Sequence, residues 1–182
     1  KMLYLMRKKI SEGQMSAYGK VAIVIGSRSD YDVVKPAVTV LDRFGVESEI
    51  RIISAHRSPM EAHDFAVTAE ERGFEVLIGV AGKAAHLAGV LAGYTTLPVI
   101  AMPVETSFMG GLDSLLSMVQ MPKGVPVATV AVNGADNAAI LAVQILAVKY
   151  GELKAKLADY KEDMRKKVVN DDLALQKELR ID

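Results

Sequence analysis

Two short polar segments, each directly after an apolar run, hold the residue types that could do chemistry in this chain. Residues 26–30 read Gly-Ser-Arg-Ser-Asp and follow an apolar run, and residues 54–59 read Ser-Ala-His-Arg-Ser-Pro and follow another. If both runs are strands of one open parallel sheet, the two segments lie together, because ligands bind outside the carboxyl ends of such strands. Hydroxyl groups and arginines at two strand ends indicate one anion site.

The first segment is suited to holding a phosphate and a sugar. Gly26 permits close approach of a ligand to the backbone, and Ser27 and Ser29 offer hydroxyl donors at the start of a predicted helix, where N–H groups are free. A phosphate would repel Asp30, so we expect Asp30 to accept hydrogen bonds from sugar hydroxyls. The alternative is that Ser29 or Asp30 only caps the helix. The segment is neither a G-x-G-x-x-G nor a Walker loop.

The second segment combines a phosphate-binding side chain with a proton carrier. Arg57 can bind a phosphate through two parallel hydrogen bonds. His56 could move a proton between substrate atoms, since imidazole changes its charge near neutral pH. The alternative is a surface histidine beside a surface arginine. The place of His56 directly after an apolar run favours the functional interpretation.

A third segment, residues 81–87, reads Ala-Gly-Lys-Ala-Ala-His-Leu and again follows an apolar run. Its small residues, Gly82 among them, leave room for a planar ring to lie on the backbone. His86 is expected to point either back toward the loop or into the helix packing, where it would be a hydrogen-bonded structural histidine. Lys83, like Arg57, lies in a predicted loop just after a strand, and this bias indicates a small anionic ligand.

Composition excludes several classes of protein. The chain has no cysteine, so disulfides, thiolate metal ligands and a cysteine nucleophile are impossible, which fits a reducing compartment. No spacing of histidines and carboxylates indicates a metal site, and no loop is suited to ATP. The apolar runs are too short for a membrane helix. In the first residues the basic side chains follow the apolar ones, so we read no export signal and expect a cytoplasmic protein that does not contact membranes.

The charge distribution argues against a nucleic-acid partner. Residues 21–148 hold eight Lys or Arg against thirteen Asp or Glu, a net charge of −5, whereas a nucleic-acid binder usually presents a basic field. Residues 1–20 hold five Lys or Arg against one Glu. Basic residues in that number are commonly just solvated, so we assign this segment no partner.

Apolar runs and helical patterns alternate along the chain. Strands are predicted at 21–25, 49–53, 76–81, 97–102 and 126–131, and helices at 31–43, 59–72, 84–92 and 111–119. This order predicts an α/β fold with a parallel sheet whose two faces are covered by helices. Residues 58–61 read as a capping box, and Gly45 and Gly73 are expected to end helices. Pro36 should kink the first helix, unless that helix begins near residue 35.

Three regions follow from these patterns. Residues 1–20 are predicted to be a flexible extension, either disordered or docked on a neighbour. Residues 21–148 are predicted to be the α/β catalytic domain, and residues 149–182 an amphipathic helix and tail. In the last region apolar residues recur every three or four positions, at Leu153, Leu157, Tyr160, Met164 and Val168. We expect this stripe to pack on a neighbouring subunit of a homo-oligomer; the alternative is packing on the chain's own core.

Four motifs in order resemble the PurE family, the N5-carboxyaminoimidazole ribonucleotide mutases, also called the catalytic subunit of phosphoribosylaminoimidazole carboxylase. They lie at residues 26–30, 54–59, 84–87 and 111–122, the last reading Gly-Leu-Asp-Ser-Leu-Leu-Ser-Met-Val-Gln-Met-Pro. The similarity runs from about residue 21 to about residue 148. It implies a three-layer α/β/α flavodoxin-like fold with a central parallel sheet of five strands, and an octamer of 422 symmetry with active sites at subunit contacts.

The resemblance also implies a reaction. Members of the family move a carboxylate from N5 to C4 of an aminoimidazole ribonucleotide in de novo purine synthesis, with the ribonucleotide and CO2 as the only ligands and without metal or other cofactor. By motif position, Ser27, Ser54 and Arg57 would hold the phosphate and Asp30 the ribose. His56 would be the general acid and base.

The sequence departs from the family's usual pattern in its third segment. Lys83 replaces the second glycine of the Gly-Gly-Ala-Ala-His-Leu-Pro-Gly loop, and Ala88 replaces its proline. A second class of the family carboxylates aminoimidazole ribonucleotide directly with CO2 and has a basic residue at the position of Lys83. Arg57 and His86 favour the mutase class. The alternatives are this direct carboxylase and a nucleotide-binding module without catalysis.

Overall fold

Five parallel strands form the middle layer of the protein in the computed structural model, which describes residues 17–179. The strands are β1 (Lys20–Ile25), β2 (Glu47–Ile52), β3 (Phe74–Ala81), β4 (Val99–Pro103) and β5 (Ala128–Thr129), and they lie in the order β2-β1-β3-β4-β5. Every neighbouring pair is parallel. Strand β2 lies on one side of β1, and β3 to β5 lie on the other. The strand order therefore reverses between β1 and β3, which creates a crevice at the carboxyl ends of these two strands.

Six helices of the described chain cover both faces of the sheet: α1 (Tyr31–Phe44), α2 (Pro59–Val67), α3 (Leu87–Tyr94), α4 (Leu112–Val119), α5 (Ala135–Lys149) and α6 (Gly151–Glu178). Side chains of a strand alternate between the faces. Val21 and Ile23 of β1 accordingly share one buried cluster with α1, α5 and the start of α6, whereas Ala22 and Val24 share another with α2, α3 and α4. The predicted three-layer α/β/α fold with five parallel strands is confirmed.

Several predicted boundaries were wrong. Helix α2 ends at Val67 instead of 72, because the next residues form tight turns up to Gly73, whose φ of 81° is left-handed. Helix α3 begins at Leu87, three residues later than predicted, and β5 has only two residues. Strand β2 begins at Glu47, two residues earlier than predicted; it lies at the sheet edge and has no buried residue.

Two predictions about helix ends and breaks also need correction. Ser58 precedes α2, but its side chain makes no cap bond; its hydroxyl instead bonds the backbone of Ser54, donating to the carbonyl at 3.0 Å. Pro36 does not interrupt α1, which runs through it from residue 31. The proline and Asp32, whose carbonyl loses its partner, are both exposed, so water can satisfy that carbonyl.

The two terminal regions differ from the expected division. Residues 1–16 lie outside the described residues, so the flexible extension stays a prediction for them, but β1 already begins at Lys20 and Tyr18 is buried. In α6, Leu153 and Leu157 are buried in the chain's own core, which is the alternative stated above for this part of the stripe. Met164 and Val168 are exposed, and packing on a neighbouring subunit stays a prediction for them.

Candidate active site

The crevice at the carboxyl ends of the strands contains a cavity of about 660 Å³. Loops that follow β1, β2, β3 and β4 line it. Its volume lies within the range of small-molecule sites, and its position is where ligands bind in open α/β sheets. All ten residues that the sequence nominated line this cavity: Gly26, Ser27, Ser29, Asp30, Ser54, His56, Arg57, Gly82, Lys83 and His86.

Arg57 connects the loops after β1 and β2. Its Nη2 donates to the carbonyl oxygen of Gly26 at 3.1 Å, and its Nε lies 3.5 Å from Oγ of Ser54. The same hydroxyl oxygen accepts from the backbone N–H of Arg57 at 3.3 Å. The guanidinium is thus held in place before any ligand arrives, which reduces the entropy lost when it binds an anion.

The loop after β1 forms a cluster of hydroxyl groups. Oγ of Ser27 accepts from the backbone N–H of Ser29 at 3.3 Å and from its hydroxyl at 2.9 Å, and so caps a short 3-10 turn over Arg28–Asp30. Asp30 precedes α1 but makes no side-chain cap bond, so the alternative in which Ser29 or Asp30 caps the helix is wrong. One carboxylate oxygen of Asp30 lies 3.1 Å from Oγ of Ser29.

His56 and His86 come from different loops and meet in the cavity. Nε2 of His56 lies 2.9 Å from Nδ1 of His86, and the two rings are almost perpendicular, at 85°. One of these two nitrogens must carry the hydrogen and the other must accept it, so the tautomers of the two rings are coupled. Both side chains are exposed to the cavity, and together they can hold a proton or pass it on.

Close packing beneath the cavity fixes the position of His86, which directly precedes α3. A Cβ added at Gly79 of β3 would lie 2.8 Å from both Cα and Cβ of Ala88, the second residue of that helix. Only a glycine at residue 79 lets the helix lie this close to the strand. The small residues at 84 and 85, predicted to open the helix, belong to the loop that carries Lys83 at a left-handed φ of 59°.

Sequence reasoning missed the fourth side of the cavity. Residues 104–107, Val-Glu-Thr-Ser, follow β4 and line it. Ser114 is fully buried beneath this loop, and its Oγ lies 2.7 Å from the carbonyl oxygen of Val104 and 2.8 Å from that of Gly111. The missed signal was position: these polar residues also follow an apolar strand, as the three nominated segments do.

Within residues 17–179 no three histidine or carboxylate side chains lie close enough together to hold a metal ion. In the same part of the chain no helix is long and apolar enough to cross a membrane.

Comparison with known proteins identifies the family. Residues 20–167 match the AIR carboxylase family. The chain is 56% identical over 147 residues to the N5-carboxyaminoimidazole ribonucleotide mutase of Pyrococcus abyssi, covering 81% of this chain and 84% of that protein. It is 55% identical over 150 residues to the enzyme of the same name from Thermotoga maritima, covering 82% and 88%. The crystal structure of Treponema denticola PurE superimposes with a TM-score of 0.77 at 30% identity, over 86% of this chain and 98% of that one. The chain therefore belongs to the AIR carboxylase family.

Proposed function

We propose that this protein converts N5-carboxyaminoimidazole ribonucleotide into 4-carboxy-5-aminoimidazole ribonucleotide, a step of purine biosynthesis. The observation that carries the proposal is the hydrogen-bonded pair of His56 and His86, which lies in one cavity with the arginine and serines of an anion site. The names of the relatives at 55–56% identity support it. The enzyme is thus an isomerase that moves a carboxylate within one substrate.

The two neighbouring loops divide the work of binding the ribonucleotide. Ser27, Ser54 and Arg57 hold the phosphate, and Asp30 accepts hydrogen bonds from the ribose. The bond between Arg57 and the carbonyl of Gly26 supports these roles, because it brings the donors of both loops to one place. The planar base then lies toward the third loop, whose small residues at 82 and 84 leave it room.

His56 carries the proton that the reaction needs twice. In the first step the bond between N5 and the carboxylate breaks, CO2 leaves, and the electron pair remains on N5, which takes a proton from His56. In the second step C4 attacks the captive CO2, and His56 removes the proton that C4 still carries. The proton lent to N5 is thereby recovered, so the enzyme returns to its starting state without a net change in charge.

His86 is a positioning residue in this scheme. Its Nδ1 bonds Nε2 of His56, so it orients the ring and can accept or return a hydrogen while the proton is on the substrate. CO2 must stay in the cavity between the two steps, which requires that water and escape routes be excluded once the substrate is bound. The loops after β3 and β4 approach each other closely here: a Cβ on Gly82 would lie 3.4 Å from Thr106.

We also propose that the protein is a homo-oligomer, with the octamer of the family as the expected form. The exposed apolar side chains of Met164, Val168 and Leu175 on α6, and of Leu179 directly after it, support this, because they are available to a second copy. Light scattering on the purified full chain should then give eight times the mass of one chain. The cytoplasmic location expected from the sequence stays a prediction.

The test of the proposed function compares two histidine variants. Purified protein is mixed with fresh N5-carboxyaminoimidazole ribonucleotide, and product is followed by ultraviolet absorbance; a second cuvette holds aminoimidazole ribonucleotide and bicarbonate. His56→Asn should lower kcat at least about 100-fold, since general acid-base catalysis contributes that much. His63→Asn is the matched control, because His63 lies on α2 outside the cavity and bonds Asp64.

Three outcomes are decisive. Fast turnover of the carbamate substrate by the unaltered protein and by His63→Asn, with loss only in His56→Asn, supports the mutase. Conversion in the bicarbonate cuvette at low bicarbonate would replace the mutase with the direct carboxylase. If neither cuvette reacts while the ribonucleotide still binds, the protein is a binding module and the proposed function is wrong.

A further inference from the structure

Lys83 has an unusual backbone conformation inside the cavity. Its φ of 59° lies in the left-handed region, which costs energy for a residue with a Cβ. Among the described residues only two other non-glycine residues, Met109 and Asn133, share this feature, and Lys83 is the one of the three that lines the cavity. Strained residues of this kind persist where the surrounding structure holds them, and they cluster at functional sites.

The Lys83 ammonium also differs from the other cation of the cavity in its hydrogen bonding. Arg57, the other cationic residue that lines it, is bonded to Gly26 and Ser54 at the ends of β1 and β2. Lys83 makes no side-chain hydrogen bond or ion pair with any residue that the structure describes. The Lys83 side chain is therefore available to a ligand.

The substrate of the proposed function carries two anionic groups, and the cavity offers one cation for each. The phosphate fits the loops after β1 and β2, where Arg57 and the serines lie. Lys83 belongs to the loop after β3 and precedes His86 by three residues. We therefore expect its ammonium at the end of the cavity where the two histidines meet. The carboxylate that migrates must lie at that same end, next to N5 and C4.

We propose that the ammonium of Lys83 binds the migrating carboxylate. This inference rests on the proposed function and deepens it. The lysine attracts the negative charge while the carboxylate is on N5, loses that interaction when neutral CO2 is released, and regains it as C4 attacks CO2 and charge returns to its oxygens. Lys83 therefore stabilises both carboxylated nucleotides, and the charge that develops as either one forms, relative to the decarboxylated intermediate.

The test measures the preference of the enzyme for carboxylated over decarboxylated nucleotide. Calorimetry gives Kd for 4-carboxy-5-aminoimidazole ribonucleotide and for aminoimidazole ribonucleotide, which differ only in the carboxylate. Lys83→Met should weaken the first about 10–100-fold, the usual worth of a hydrogen bond between charged groups, and change the second less than threefold. Lys83→Arg keeps the charge and should keep the preference. Lys154→Met, on the exposed surface of α6, is the matched control and should bind both ligands normally.

Lys83→Gly separates the role of the charge from that of the loop. Glycine adopts a φ of 59° without strain, so this variant should fold even if Lys83→Met does not. It should show the same loss of preference, together with a lower kcat/KM for the carbamate substrate and more aminoimidazole ribonucleotide released per turnover.

Two results would overturn the inference. Equal weakening of both nucleotides in Lys83→Gly would mean that the lysine contacts the phosphate or shapes the loop. Unchanged affinity for both nucleotides would mean that it contacts neither anion. Neither result affects the proposed function, which is tested separately by turnover in the unaltered protein.

Discussion

The contact between Gly79 of β3 and Ala88 of α3 should be the most sensitive support of the site. Gly79→Ala would place a methyl group 2.8 Å from two carbon atoms of Ala88, one of them a backbone Cα, and 3.1 Å from its backbone nitrogen. Neither partner is a flexible side chain that can turn away. The helix must move outward from 2.8 Å to at least 3.4 Å to restore ordinary contact, a shift of about 0.6 Å.

This shift has a cost in stability and a cost in activity. Overpacking of a buried contact destabilises proteins by about 1–3 kcal/mol, which for a chain of this length lowers Tm by about 3–10 °C. His86 directly precedes the displaced helix, so its bond to His56, now 2.9 Å, should lengthen or bend. Because an error of about 1 Å in a catalytic arrangement can cost about 100-fold, we expect kcat to fall about tenfold.

The two measurements are Tm, by calorimetry, and kcat for the carbamate substrate, by ultraviolet absorbance. Gly93→Ala is the matched control: it lies on the same helix, a Cβ there meets nothing within 4 Å, and both Tm and kcat should be kept or slightly raised. Adding Ala88→Gly to Gly79→Ala removes the clashing methyl but not the Cα, so recovery should be partial. A normal Tm for Gly79→Ala would refute the packing argument, and a low Tm with normal kcat would refute the claim that α3 positions His86.

Two further predictions concern stability. Ser114→Ala should lower the free energy of unfolding by about 1–2 kcal/mol, measured in urea, because the buried hydroxyl donates to a carbonyl oxygen of the loop after β4, that of Val104 or that of Gly111. Burial raises the pKa of Glu49, but the hydrogen bond from Lys20 and the neighbouring arginines lower it by more, so the pKa lies below its ordinary 4.5. Glu49→Gln should therefore cost about 1 kcal/mol at pH 7, and this cost should fade as the pH falls below 4.5 toward the lowered pKa, in thermal unfolding across pH.

Each of these has an outcome that contradicts it. If Ser114→Ala unfolds at the same urea concentration, the loop after β4 does not depend on that hydroxyl. If the difference between Glu49→Gln and the unaltered protein is the same at every pH, Glu49 contributes through packing and not through its charge.

The order of elements along the chain could be predicted because apolar strands and amphipathic helices differ in period. What could not be predicted depends on tertiary position. Strand β2 reads as a strand in sequence, but only the sheet order shows that it is an edge, where Glu49 and Arg51 are tolerated and pair with each other. The helical setting of Pro36 likewise depends on which backbone groups water can reach, and the early end of α2 depends on the turns that lead to Gly73.

The residues that line the cavity could be predicted more accurately than the ends of the helices and strands, for a physical reason. A residue directly after a strand of a parallel sheet has its position set by the strand, so the three nominated segments all reached the cavity. The loop at 104–107 was missed because it has no arginine, lysine or histidine, the residue types that marked the other three segments. The distance between His56 and His86 was beyond prediction, since it depends on how closely α3 lies on Gly79.

Under the proposed function, the loop after β2 lets one small domain hold a ribonucleotide and move a proton on it. His56 and Arg57 are consecutive, yet Arg57 reaches the loop after β1 and His56 reaches the loop after β3. One peptide unit therefore links the phosphate end of the cavity to the proton-transfer end and fixes the span between them. A ligand whose phosphate is held by Arg57 can present to His56 only atoms at that span. Under the proposed function these atoms are N5 and C4. The imidazole of His56 must reach both of them while the phosphate stays bound to Arg57.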